Sequence, residues 1–457
     1  MNLSRRTFLK VLGAGGAASA ASSPILRAFA DPQTANDEFF LFVHALGGWD
    51  VMLWSDPRMA PTSIIDPPST VNCRTDWLEA WTTDTSVTLP DGGNPFKPNA
   101  AGKLSFGPGF GAKMLSRASQ VLLFNGLSMN TVSHPDGQTY VTTGRHLFGG
   151  RAAQSSIDTM LGNEAGTQQL LPVVSLQYPS FFVGSGLDQR AVPLRVSKVD
   201  TLAESLHRAP FYESAAERDA VTVVLSEEAQ DLAEVAHDPT TMNAIALQLG
   251  ALRGVLKKNL ENSFSAKYLQ ATYDSSFSFA NLYIQQVPAT NLAFAIEAFK
   301  NNFGRCVSVI FNAFDTHFSN YTTQARAQQE TFDSLAAFMD LLETTPHPTK
   351  TGDTLAQHTH ILVTSDFCRT PQINLSHGRD HYPNGSALVI SPRFRGGQVY
   401  GATDADQLLP TNLSGFSDGP RPVSPPDVLA TFLTAFGVQP RKYLRDGEAV
   451  TQLLVSP

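Results

Sequence analysis

Five mainly apolar runs of strand length mark the chain, at residues 39–43, 120–124, 306–311, 360–364 and 387–390. Such runs are hydrophobic at successive positions rather than at alternate ones, which suits strands buried on both faces. Helical periodicity lies between them, at 153–161 and 323–342, and again at 427–436 behind Pro425 and Pro426. Strand and helix in alternation predict an α/β fold: a doubly wound, mostly parallel sheet with helices on both faces. From about 200 to 300 the pattern is mainly helical (229–235, 242–255 and 291–299), which reads as a helical insertion. Residues 56–112 and 401–425 are rich in Pro, Gly, Asp and Ser and read as long loops. The expected organisation is a single α/β domain over 31–457.

The first thirty residues follow a different pattern. Arg5 and Arg6 precede a mildly hydrophobic Gly/Ala-rich stretch, which closes at Ala28-Phe29-Ala30, a small-x-small site, with Asp31 next. This is the layout of a twin-arginine signal peptide, too weakly apolar for a membrane anchor. It predicts export of the folded chain through the Tat translocase to a periplasmic or secreted location, with no membrane span after the signal is removed. Residues 1–30 hold four basic residues and no acids, so cleavage takes the formal charge from -8 to -12. An acidic surface disfavours nucleic acid and anionic membranes as partners. Charged residues make up 16% of the chain and hydrophobics 42%, enough for a large core. The three cysteines, Cys73, Cys306 and Cys368, form no metal-finger spacing, and the last two adjoin apolar runs where buried thiols are expected.

Candidate chemistry collects after the strands. In open α/β sheets ligands bind beyond the carboxyl ends of the strands. The first run is followed by Gly47-Gly48-Trp49-Asp50, the second by Ser133-His134-Pro135-Asp136-Gly137, the third by Asp315-Thr316-His317 and the fourth by Asp366-Phe367-Cys368-Arg369. Arg379-Asp380-His381 comes soon after. Carboxylates and imidazoles gathered on one sheet edge call for a cation. Mixed oxygen and nitrogen donors suit zinc or manganese, and carboxylate-rich sets suit magnesium or calcium. The one Gly-x-Ser-x-Gly match, at residues 415–419, lacks a strand before it and a helix after it, so a serine esterase elbow is not expected there.

At these residues the sequence resembles the family known as domain of unknown function 1501. Its members are twin-arginine-exported bacterial proteins related to the alkaline phosphatase and sulfatase superfamily. The resemblance is carried by Thr364-Ser365-Asp366-Phe367-x-Arg369-Thr370-Pro371, Gly378-Arg379-Asp380-His381-Tyr382-Pro383-Asn384 and Gly396-Gly397-Gln398-Val399-Tyr400-Gly401, with Phe314-Asp315-Thr316-His317 and Ser133-His134 in support. It implies an alkaline-phosphatase-like fold and a site of as many as two divalent ions, held by Asp50, Asp315, His317, Asp366 and His381. It also implies hydrolysis of phosphate or sulfate esters, with a small-molecule or glycan ester as substrate.

This chain departs from the superfamily pattern in three places. One residue rather than three separates Asp315 from His317; Asp366 is followed by Phe367 where a histidine is usual; and the nucleophile has no clear counterpart. Ser133 is the first candidate nucleophile, activated by a metal or by His134, with Thr142 and Thr143 behind it. Arg369 and Arg145 are candidate clamps for an oxyanion. Residues 133–137 lack the arginine that formylglycine chemistry requires. The alternative is a catalytically degenerate member that keeps the fold and acts as a periplasmic or surface binding protein.

Overall fold

The computed structural model describes residues 37–455 apart from 59–60, 68–103, 166–170, 185 and most of 208–259. The helical expectations at 229–235 and 242–255, Cys73 and the signal segment lie outside the described residues. The strands are β1 (Phe39–Ala45), β2 (Val121–Ser128), β3 (Val173–Leu176), β4 (Leu194–Val196), β5 (Cys306–Phe311), β6 (Thr359–Ser365), β7 (Cys368–Arg369), β8 (His381–Tyr382), β9 (Asn384–Ile390) and β10 (Gln398–Tyr400). The helices that frame them are α1 (His134–Thr143), α2 (Ile157–Gly162), α3 (Val199–His207), α4 (Ala266–Phe277), α5 (Gln286–Lys300), α6 (Asn320–Thr344) and α7 (Pro425–Ala435).

Eight strands form one sheet in the order β10-β2-β9-β6-β1-β5-β3-β4, and β7 and β8 form a small separate ladder. All pairings in the large sheet are parallel except those of β9 with β2 and with β6. The mostly parallel α/β sheet expected from the apolar runs is therefore present.

β1 is central, hydrogen-bonded to β5 on one side and β6 on the other, and every one of its residues is buried. Side chains alternate across a strand, so β1 feeds two cores at once. Phe39, Leu41, Val43 and Ala45 join the core under α5 and α6, while Phe40 and Phe42 join the opposite core under α1, α2 and α7. That double burial explains a run with no polar alternation. Truncating Phe40 or Phe42 to alanine should cost about 3–5 kcal/mol, the range for a buried aromatic.

In the 200–300 stretch, α4 and α5 are helical as expected, and α5 lies almost wholly within the first core. Cys306 and Cys368 are both buried and free. Because β1, β2, β5 and β6 run in the same direction, their carboxyl ends share one edge, and the start of β9 lies there too. This edge carries the polar residues.

Candidate metal centre

Three imidazoles and one carboxylate meet at that edge. Asp315 follows β5 by a turn in which Ala313 holds φ at 72°. The turn lays the Asp315 backbone on Gly47, where a Cβ would stand 2.4 Å from the Asp315 nitrogen. Around its carboxylate, Asp315 Oδ1 lies 3.5 Å from His134 Nε2, 3.3 Å from His317 Nε2 and 4.0 Å from His381 Nε2. Each of the four residues offers a donor atom within 4.8 Å of the others, and this is the one such group of histidine, cysteine and acidic residues among those described.

Separate elements deliver each side chain. His134 is the first residue of α1, which follows its N-cap Ser133 and is helped into helical geometry by Pro135 in its first turn. His317 lies between β5 and α6. His381 opens β8 and pairs with Arg369 of β7. Phe367, fully buried, packs beneath the rings of His134 and His381 at centroid distances of 4.8 and 4.5 Å and limits their rotation.

What lies behind each imidazole fixes the tautomer of its neutral form. His134 Nδ1 is 2.5 Å from Asp366 Oδ2, His317 Nδ1 is 2.7 Å from Asp380 Oδ1, and His381 Nδ1 is 2.7 Å from the Val132 carbonyl. Carboxylates and carbonyls only accept, so every Nδ1 carries a proton, and in the neutral ring each Nε2 keeps its lone pair. His134 Nε2 is buried and has no hydrogen-bond partner, and His317 Nε2 faces His381 Nε2 at 2.9 Å. With both rings neutral, two lone pairs at that separation repel each other unless a metal ion or a shared proton stands beside them. The donor set therefore fits a divalent ion. Three nitrogens and one oxygen suit zinc or manganese better than the oxygen cages of magnesium and calcium.

The electrostatics agree. Burial works against a charge on Asp315, but the hydrogen bond and positive charge of the Arg369 guanidinium oppose it, and the carboxyl lies below its usual range. Asp366 is more extreme: despite burial, His44 and His134 hold its pKa at about 2. Asp380 is lowered chiefly by the hydrogen bond from His317. Burial pushes His381 down, which favours the neutral ring that a metal requires.

Of the five ligands expected from the sequence, Asp315, His317 and His381 come together and Asp50 and Asp366 do not join them. Asp50 is fully buried, accepts hydrogen bonds from Asn320 and the Met52 backbone, and pairs with Arg379 Nε at 3.0 Å. Its charge is spent within the fold. Asp366 sits one layer back, where its two oxygens take His44, His134 and the Gly47 amide, the last at 3.1 Å. His134, expected to assist a nucleophile, supplies the third imidazole instead.

Arg369 is fully buried, and its donors go to Gly47, Gly48 and Arg379 carbonyls and to Asp315, the last at 2.6 Å. It positions Asp315 and has no fork left to clamp an oxyanion. Thr142 and Thr143 donate to carbonyls of their own helix and face the core, which removes them as nucleophiles. Ser133 stays exposed at the N-cap of α1, and its hydroxyl makes no capping bond. The second ion implied by the resemblance has no ligand set among the described residues.

A family profile described as "Protein of unknown function (DUF1501)" matches residues 108–455. A comparison with curated proteins gave no match. Among solved structures, the chain is similar to one titled "Crystal structure of Ps i-CgsB", at 7% identity, with 88% of this chain and 72% of that chain covered and a TM-score of 0.35. Another, titled as Ps i-CgsB in complex with k-i-k-neocarrahexaose, gives 8% identity, the same coverage and the same TM-score. A third bears a title on the metabolism of multiple glycosaminoglycans by Bacteroides thetaiotaomicron; it is 10% identical over 88% of this chain and 73% of that one, with a TM-score of 0.30. Likeness at that level adds nothing to the fold read directly from the sheet.

Proposed function

The chain belongs to the DUF1501 family, and on that premise we propose that it is an exported, metal-dependent hydrolase of phosphate or sulfate esters in the alkaline phosphatase and sulfatase superfamily. The observation that carries the proposal is the convergence of His134, His317 and His381 Nε2 on the Asp315 carboxylate at the carboxyl edge of the sheet. These four residues would hold one zinc- or manganese-type ion. Such an ion supplies Lewis acidity toward an ester oxygen and toward the attacking group. The chain's own part is to fix three imidazole tautomers through Asp366, Asp380 and the Val132 carbonyl, and to hold Asp315 in place through Arg369. Ser133, next to the ligand His134, is the side-chain candidate for the attack, with water as the other nucleophile.

A panel of phosphomonoester, phosphodiester and sulfate ester compounds, offered to zinc- or manganese-loaded protein, tests the proposal. Turnover of one class should fall by roughly 100-fold or more in His317→Ala, since a catalytic metal contributes several kcal/mol. Activity equal in wild type and His317→Ala would remove the site from the chemistry. Ser133→Ala divides the two nucleophiles: full activity assigns the attack to water, and loss with retained metal assigns it to the serine. One observation favours the second reading, a binding protein without catalysis: Asp50 and Arg369 are both consumed by the fold. Metal bound with no turnover across the panel would establish that reading. Export rests on Arg5, Arg6 and the site at Ala30. Replacing both arginines with lysine should leave the uncleaved chain in the cytoplasm.

A further inference from the structure

A cavity of about 410 Å³ adjoins the histidine cluster and shares His134 and Asp315 with it. That is within the size range of small-molecule sites. Its other walls are chemically mixed. Leu46 and Ala313 give it an apolar floor, and Phe318 stands at its lip with 67% of its surface exposed. Exposed there, the Phe318 ring offers the cavity an aromatic face on which a ligand can stack.

The polar walls are unspent. Gln138, on α1, and Thr323, in the first turn of α6, are half-buried against the cavity, and neither side chain makes a hydrogen bond among the described residues. Apart from the cluster members His134 and Asp315, no charged side chain among those described lines it. Away from the cluster, the walls thus present one aromatic face, an amide and a free hydroxyl, and no charged group.

We infer that this cavity takes a saccharide ring, the uncharged alcohol part of the ester, with its apolar face on Phe318 and its hydroxyls on Gln138 and Thr323. The inference rests on the hydrolase reading for the ester's place at the cluster, but the recognition of the ring does not need the reaction. A sugar ring carries C–H groups on one face and donors and acceptors around its edge, which matches a half-apolar, half-polar and neutral wall. A polyanionic group would find no cation on those walls beyond an ion held at the cluster itself, and a purely aliphatic group would leave Gln138 and Thr323 without partners.

The test measures binding, not turnover. Neutral methyl pyranosides and short neutral oligosaccharides are titrated against the full chain by saturation-transfer NMR, with metal content measured on the same samples. The expected result is saturable binding that weakens about tenfold in Phe318→Leu, survives in Phe318→Tyr and weakens in Gln138→Ala, a loss on the scale of one aromatic contact. Phe318→Tyr keeps the ring and so separates stacking from folding. No binding of any neutral saccharide by the wild type would overturn the inference, as would equal binding in Phe318→Leu and Phe318→Tyr, or binding of simple phenols in place of sugars. Metal content unchanged in the variants leaves the ester-hydrolase reading standing in all of these cases. That reading fails separately, by loss of turnover dependence on His317.

Discussion

At the residue scale, two aspartates that look alike in sequence do opposite work. Asp50 and Asp366 each follow a central strand, and both are fully buried. Asp50 neutralises Arg379, whereas Asp366 accepts the Nδ1 proton of His134. Their variants should therefore separate. Asp366→Asn offers His134 an amide that can present its NH₂, which disturbs the Nδ1-H tautomer. Metal affinity should drop about 10- to 100-fold, the usual cost of losing a partner behind a metal-bound histidine, with a modest effect on folding. Asp50→Asn leaves a buried guanidinium without its counter-charge and should cost roughly 3–5 kcal/mol, while the folded fraction keeps its metal. Chelator competition and urea unfolding on the two variants check this. A loss of metal affinity in Asp50→Asn with unchanged stability would reverse the assignment. Sequence could not separate the two, because the difference lies in what faces each carboxylate across the fold, Arg379 or His134, more than 200 residues away in either case.

At the element scale, α1 is the piece that sequence reading passed over. Its hydrophobic pattern is weak and it contains Pro135 and Gly137, so periodicity predicts no helix over residues 134–143. The signals present were of a different kind: a serine at the cap followed by a proline in the first turn. Gly137 has a packing role, since a Cβ there would stand 2.2 Å from the Asp366 carbonyl oxygen. The helix sits directly on the end of β6, and that approach brings His134 to Asp366. Gly137→Ala should lift α1 away and reduce metal affinity although the residue touches no ligand atom. Metal titration alongside circular dichroism would show it. Affinity equal to wild type would mean the close approach does not set the His134 position. The strands, by contrast, were plain in the sequence, because β1, β2, β5, β6 and β9 are buried on both faces and their apolar runs have no competing explanation. The short edge strands β4 and β10 are only partly buried and left no such trace.

At the scale of the whole molecule, the two ends of the sheet have different chemistry. Far from the cluster, at the start of β1 and β6, His360 Nε2 lies 2.7 Å from Glu38 Oε2, and Arg393 reaches the other Glu38 oxygen at 2.8 Å. Burial holds the His360 pKa at about 4, below the ordinary 6.5, despite the Glu38 hydrogen bond. Glu38, against its own burial, is held at about 2 by His360 and Arg393, below the ordinary 4.5. Both folded values are depressed, so the unfolded chain binds the extra protons and each group's stability is lost as pH falls. For His360 the loss begins near pH 6.5 and is complete near 4; for Glu38 it runs from about 4.5 to 2. Unfolding midpoints measured against pH should decline across these windows, and His360→Gln should flatten the upper one. A wild-type midpoint constant from pH 6.5 to 4 would contradict this assignment. The shared edge of four strand ends was legible from the order of runs and polar residues, but the choice of ligands on it was not, because three imidazoles converge only once α1 and the β7–β8 ladder have folded. That convergence is tested most directly by elemental analysis of the purified protein after incubation with zinc and removal of excess. One tightly held ion per chain is predicted, lost in His134→Ala and retained in the folded fraction of Asp50→Asn; no bound ion in the wild type, or an ion that persists without His134 and leaves with Asp50, would contradict the account.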